Sequence, residues 1–291
     1  MKKKSLASSY LELTKPRILL LVLVTATIGY YLGAKGLVVP TPYLALLLGV
    51  ALTCAGSSAL NHYLEREYDS NMERTKNRPI PAGVIAPSHA LTFGVSLVLL
   101  GIAVLYLRVN MLTAFLALLA AFLYIVVYTP MKRVSWVNTT IGAFPGAMPP
   151  LLGWAAATGT LSFNAGMLFL ILFIWQHPHF YAIAWMFRED YKKAGFKMLP
   201  CLQPDGEGTF SHVQGFTSAL LPVSIAPSMT GMSGHFYLVG TLLSGIALLC
   251  VADRFVRSKS DCDARKLLKA TVLYIPVLFV LIVLDSTFTL Q

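Results

Sequence analysis

Residues 134–187 read VSWVNTTIGAFPGAMPPLLGWAAATGTLSFNAGMLFLILFIWQHPHFYAIAWMF, without one Asp, Glu, Lys or Arg. A single crossing of the hydrocarbon layer takes about 20 apolar residues, so a run this long must fold back on itself. Thr158-Gly159-Thr160 supplies the turn. Residues 79–107 and 208–252 are likewise free of charge. Breaking the chain at Pro40-Thr41-Pro42, at Thr158-Gly159-Thr160 and at Gly231-Met232-Ser233-Gly234 leaves nine candidate helices. They lie near 18–34, 43–62, 90–107, 112–128, 137–157, 165–187, 215–231, 235–252 and 268–286. Helices satisfy their own backbone in lipid, and the alternation of a barrel strand is absent. The fold class expected is all-α: a polytopic membrane bundle of nine transmembrane helices.

Composition agrees. Of 291 residues, 56% are hydrophobic and 12% charged, against about 25% charged in a soluble domain. The net charge of +10 raises the question of nucleic acid, and the location of the bases answers it. With an odd number of spans, 21 of the 23 Lys and Arg fall on one side of the membrane, leaving Lys35 and Arg108 on the other. By the positive-inside rule the N-terminus and the basic loops face the cytoplasm and the C-terminus faces out. Nucleic acid is not an expected partner; the lipid bilayer is. The first span follows Lys2-Lys3-Lys4 but has no small-residue cleavage site, so it reads as retained. Cys54, Cys201, Cys250 and Cys262 form no C-x-x-C pair and read as free thiols.

Polar chemistry concentrates in two cytoplasmic loops. In the first, Asn61, Glu65 and Asp69 recur at i, i+4, i+8, which keeps three oxygen-bearing side chains on one helix face. Such oxygens suit a hard cation such as Mg2+. The stripe is about 12 Å long, too long for one ion to touch all three; two ions bridged by a diphosphate, or one ion and a spare ligand, fit. Arg74, Lys76 and Arg78 follow as diphosphate donors. The alternative is a solvated, salt-bridged helix end.

The second loop is entered through Trp175-Gln176-His177-Pro178-His179-Phe180. His177 and His179 point about 200° apart on a helix, a poor joint metal site. Asp190 falls within about 20° of His179 if the helix continues. A buried histidine bonded to a neighbouring helix, with the aromatics as packing, is the alternative. Lys15-Pro16-Arg17 and Tyr128 to Arg133 read on their own as interfacial anchors. Pro145, Pro149, Pro150, Pro222 and Pro227 suggest broken or bent helices.

These residues together resemble the UbiA-type intramembrane prenyltransferases, which include 4-hydroxybenzoate polyprenyltransferase, and within them the protohaem IX farnesyltransferase (haem O synthase) family. The first motif of that superfamily, Asn-x-x-x-Asp-x-x-x-Asp followed by Arg-Thr-x-Asn-Arg-Pro, is matched by Asn61, Glu65, Asp69 and Arg74 to Pro79, with Glu65 where Asp is more usual. The subfamily pattern Trp-Gln-x-Pro-His-Phe is matched by Trp175 to Phe180. Its downstream partner is matched by Asp190, Tyr191, Ala194, Gly195, Met198, Leu199 and Pro200. The resemblance runs over nearly the whole chain and favours His179 over His177, which occupies the variable position.

It implies a single domain over 1–291, with pseudo-repeated halves carrying motif loops 61–89 and 188–214 around a central cavity. The implied reaction joins farnesyl diphosphate to the 2-vinyl group of haem b, giving haem O in a bacterial plasma membrane, with haem A synthase as a further partner. Asn61, Glu65, Asp69 and Asp190 would hold Mg2+, with Asp69, Asp190 and His179 at the chemistry. Arg74, Lys76, Arg78 and Lys132 would bind diphosphate, with Lys15, Arg17 and Lys193 behind them. His179, Trp175, Phe180 and Tyr128 would face haem and prenyl chain. A prenyltransferase for a quinone or chlorophyll precursor shares the first motif. A secondary transporter would carry ionisable groups at the midplane rather than crowded at one face.

Overall fold

The computed structural model describes residues 5–289, with side chains described to residue 286. Lys2, Lys3 and Lys4, counted above among the cytoplasmic bases, lie outside the described residues. An N-terminal helix α1 (Leu6–Leu13) leads into α2 (Pro16–Gly33), α3 (Pro40–Asp69) and α4 (Pro87–Arg108). Next, α5 (Met111–Phe122) passes through a π-helical stretch, Leu123–Tyr128, into the single turn α6 (Thr129–Met131). Then come α7 (Asn138–Thr158), α8 (Phe163–Met186), the short α9 (Arg188–Lys193) and α10 (Leu199–Leu202), and the long α11 (Glu207–Met229), α12 (His235–Ser258) and α13 (Asp261–Thr289). Among the described residues there is no strand.

A long helix stands at each of the nine expected places, counting α5 to α6 as one. Seven are long and apolar enough to cross a membrane by composition. The other two, α7 and α11, are of similar length but carry Asn138, Thr139, Thr140 and three prolines, or Ser211, His212, Gln214 and two prolines. They can be more polar because neighbours surround them: α7 packs on α2, α5 and α8, and α11 on α8 and α12.

Several helix ends differ from the sequence reading, at α3, α11, α12 and α13 by six to eight residues. Helix α3 runs seven residues past the expected 62, to Asp69, because the first charges mark the edge of lipid and not a helix stop. The first breaker after them is Ser70-Asn71. Helix α8 ends at Met186, where Phe187 leaves helical geometry at φ −113°, ψ 21°, so His179 and Asp190 do not share a helix face. Helix α11 begins at Glu207, eight residues before the expected 215. The prolines of α7 and α11, expected to break or bend helices, sit inside unbroken ones. There, neighbouring helices and local adjustment can re-satisfy the freed backbone groups.

Close backbone approach fixes the helix pairs. Gly29 of α2 lies against the Pro150 carbonyl of α7, and Gly153 of α7 against the Ala26 carbonyl of α2; a Cβ on either glycine would overlap that oxygen. Gly49 and Gly56 of α3 meet Gly101 and Gly94 of α4 in the same way. Small residues two turns apart on both partners are what lets helices touch where lipid supplies no hydrophobic drive. Gly153→Ala should therefore lower stability by roughly 1–3 kcal/mol. Gly166→Ala, whose Cβ would meet nothing within 4 Å, should stay within about 0.5 kcal/mol. Thermal unfolding in detergent compares the two.

Candidate active site

The C-terminal half of α3 carries Asn61, Glu65 and Asp69, all buried. Each accepts a hydrogen bond from a base on a different segment. Lys15 Nζ donates to Asn61 Oδ1 at 2.7 Å, Lys132 Nζ to Glu65 Oε1 at 2.7 Å and Arg78 Nη1 to Asp69 Oδ2 at 2.7 Å. A buried carboxylate must have a counter-charge in a low-dielectric setting, and these are the nearest. The second oxygen of Asp69, Oδ1, is buried without a partner among the described residues.

Local structure aims these bases. Lys15, between α1 and Pro16, is left-handed at φ 50°, ψ 62°, a strained conformation for a residue with a Cβ. Burial, then the neighbouring Arg78 guanidinium, pull its ammonium down to about 7. Burial works against the Lys132 ammonium too. The bonded Glu65 carboxylate, aided by the Tyr128 and Tyr124 hydroxyls, nevertheless holds it above the ordinary lysine range. The π-helical stretch stacks Tyr124 on Tyr128, with centroids 5.6 Å apart, and sets the Tyr128 ring 4.7 Å from Lys132 Nζ. Thr129 closes the turn: its hydroxyl donates to the Tyr124 carbonyl at 2.8 Å and accepts from Asn61 Nδ2 at 3.2 Å. π-turns inside α-helices recur at functional sites.

Beside the ladder a cavity of about 190 Å3 is walled by Arg74, Tyr128, Phe180, Ile183, Tyr191 and Met198, with Asn138 and Thr139 of α7. It joins the two motif loops. Arg74 Nη2 donates to the Tyr191 hydroxyl at 3.1 Å, and its guanidinium lies 4.7 Å from the Phe187 ring. The Lys197 N–H donates to the Lys132 carbonyl at 2.7 Å, and Asn138 Nδ2 to the Lys197 carbonyl at 3.1 Å. The second loop is thus bonded to the segment that carries Lys132.

Of the residues singled out from sequence, Asn61, Glu65, Asp69, Lys15, Lys132 and Arg78 meet in the ladder, and Arg74, Tyr128 and Phe180 in the cavity. Asp190 lies on α9, partly exposed, one residue before Tyr191. Lys76 forms a surface pair with Glu73. Arg17 and Lys193 are exposed and outside the bonded network. His179 and Trp175 face α13, where His179 Nδ1 pairs with the Thr271 hydroxyl at 2.9 Å and Trp175 Nε1 donates to the Thr271 carbonyl at 2.8 Å. His177 points elsewhere, pairing with Thr140 at 3.2 Å and stacking on Phe216, so the two histidines do diverge. Among the described residues no three of His, Cys, Asp and Glu gather as a ready metal centre. Tyr124, Asn138, Thr139, Ile183 and Tyr191 had not been singled out. Asn138, an amide opening an uncharged span, and Tyr191, within the second motif, were the available signals.

Residues 22–279 match the model of the UbiA prenyltransferase family. This chain belongs to that family. It is 44% identical over 285 residues to the protoheme IX farnesyltransferase of Solibacter usitatus, covering 95% of this chain and 98% of that protein. As a UbiA family member with seven apolar spans it is a multi-pass membrane protein. Its fold is similar to a structure described as digeranylgeranylglyceryl phosphate synthase, with TM-score 0.82 at 18% identity over 97% of this chain and 98% of that one. It is also similar to a UbiA homologue from Archaeoglobus fulgidus bound to GPP and Mg2+, with TM-score 0.69 at 18% identity over 94% and 99%.

The Lys132–Glu65 pair gives a direct test of the ladder, since its side chains are only 15% and 7% exposed. Lys132→Met should cost about 3 kcal/mol or more by stranding a buried carboxylate, whereas Lys132→Met with Glu65→Gln should recover most of that loss. A double-mutant cycle on thermal unfolding measures the coupling.

Proposed function

We propose that this UbiA family member transfers the farnesyl group of farnesyl diphosphate to the 2-vinyl group of haem b, with water completing the hydroxyethylfarnesyl group of haem O. The observation that carries the prenyl-diphosphate part is the ladder of three oxygens and three bases beside an aromatic-walled cavity. The haem acceptor is supported by the 44% identity to a protoheme IX farnesyltransferase and by the Trp175 to Phe180 pattern.

In this reading Lys15, Arg78, Lys132 and Arg74 turn from their protein partners to the diphosphate oxygens, with Lys76, Arg17 and Lys193 at the mouth. Their charge stabilises the leaving group as the C1–O bond breaks. Tyr128 and Phe180 present ring faces to the allylic cation and exclude water from it. His179 and Trp175 are assigned to the haem. Asn61, Glu65, Asp69 and Asp190 would hold Mg2+: the donors are all oxygens, and Asp69 Oδ1 is an orphaned one. Bound there, Mg2+ would supply further charge neutralisation to the diphosphate. The same reading has the motif loops and N-terminus cytoplasmic, the C-terminus on the outer side of a bacterial plasma membrane, 1–291 acting as one domain of two pseudo-repeated halves, and haem A synthase as recipient of the product.

The test is mass analysis of haem extracted after incubating membranes with haem b, farnesyl diphosphate and Mg2+. The wild type should yield the farnesylated, hydrated haem, and Asp69→Asn about a hundredfold less or lower still. Undiminished product from Asp69→Asn would remove the oxygen stripe from the mechanism. Prenylation of an aromatic quinone precursor in place of haem would move the enzyme to another branch of the family.

A further inference from the structure

His62 follows Asn61 on α3. It is 2% exposed, and neither ring nitrogen has a hydrogen-bond partner among the described residues. Burying such a ring costs free energy unless something bonds it, and its neighbours Asn61 and Glu65 on α3 do have partners. Seven residues from Asp69 and three from Glu65, it lies within about 20° and 60° of them around the helix axis, on the same side as the ladder. The charges acting on it are Lys15 and Arg78, both cations, and each is the base of a rung. A buried imidazole with no hydrogen-bond partner, on the helix face where the bases of two rungs lie, has a ring N–H to give to an anion held by those bases.

We infer that His62 is a diphosphate-binding residue: with Lys15 and Arg78 it receives the diphosphate of the prenyl donor, giving a ring N–H to a phosphoryl oxygen. This rests on the prenyl-diphosphate reading above and adds a contact that the motif spacing does not contain. The interaction is a hydrogen bond from a neutral ring to an anion, so no proton changes hands. It explains why a polar ring is kept at this depth, where leucine would pack without penalty.

The experiment pairs stability with binding. His62→Leu and His62→Gln are purified in detergent beside the wild type. Thermal unfolding is read without ligand, and inorganic diphosphate in excess Mg2+ is titrated by calorimetry. His62→Leu should unfold at the same or a higher temperature than the wild type, because an unpartnered buried polar group has gone. It should bind diphosphate at least about tenfold more weakly, and His62→Gln, which keeps an N–H donor, should recover to within about threefold. Leucine or glutamine variants that bind diphosphate as the wild type does overturn the assignment while leaving the diphosphate site standing. A leucine variant that is less stable yet binds normally makes His62 a packing residue and overturns it as well. A wild type that takes up no diphosphate overturns the site itself, and His62 with it.

Discussion

Three buried oxygen-bearing side chains of one helix, facing three part-buried bases from other segments, are the interaction on which the rest of this structure depends. The two carboxylates could not stay ionised there alone, because a charge held away from water needs a partner of opposite sign. The partners come from the α1–α2 junction, the loop after α3 and the turn after α6. The ladder therefore holds together segments that are far apart in sequence, as a staple would. It also couples ligands to one another. An anion that draws Lys132 or Arg78 away leaves Glu65 or Asp69 without a counter-charge, so an incoming diphosphate would favour a cation among the freed oxygens. In the proposed site, binding of the two would be linked through the carboxylates.

The second half of the bundle supplies support of a different kind. Asp285 near the end of α13 accepts the Tyr237 N–H of α12 at 2.9 Å, meeting a backbone donor at that helix's N-terminus. The Tyr237 hydroxyl reaches back to the Ser224 carbonyl of α11 at 2.6 Å. Trp175 and His179 tie α8 to Thr271 of α13. These bonds fix α8, one wall of the cavity, against helices that contribute no charge to the ladder.

How much could be read from sequence follows the range of each interaction. The uncharged runs reveal the spans because lipid tolerates so few charges, and the stripe on α3 is visible because helical periodicity is local. The bases that complete it are not: Lys15 and Asn61 are 46 residues apart, and nothing in Lys15-Pro16-Arg17 separates a site lysine from an interfacial anchor. The end of α8 is legible to within a residue, because the uncharged run stops at Phe187. His62 escapes because an imidazole without a partner is a property of packing, not of pattern. Whether the prolines of α7 break the helix or leave it unbroken is hidden for a related reason: local rules give the cost of the lost hydrogen bond but not the neighbours that offset it.

The π-helical stretch at Leu123–Tyr128 carries one more consequence. A π-turn accommodates an additional residue in what would otherwise be regular α-helix. Removing one residue there would let the helix relax to α geometry and leave every side chain of the ladder in the chain. Because the bulge absorbs the extra residue, the helix downstream would stay near its present phase, but the wide turn that stacks Tyr124 on Tyr128 and opens the Tyr124 carbonyl to the Thr129 hydroxyl would be lost. The length of that segment therefore shapes the surroundings of Asn61, to which Thr129 is bonded: a chain could keep both motifs intact and still lose this aromatic wall through a one-residue gap in a stretch of ordinary apolar sequence.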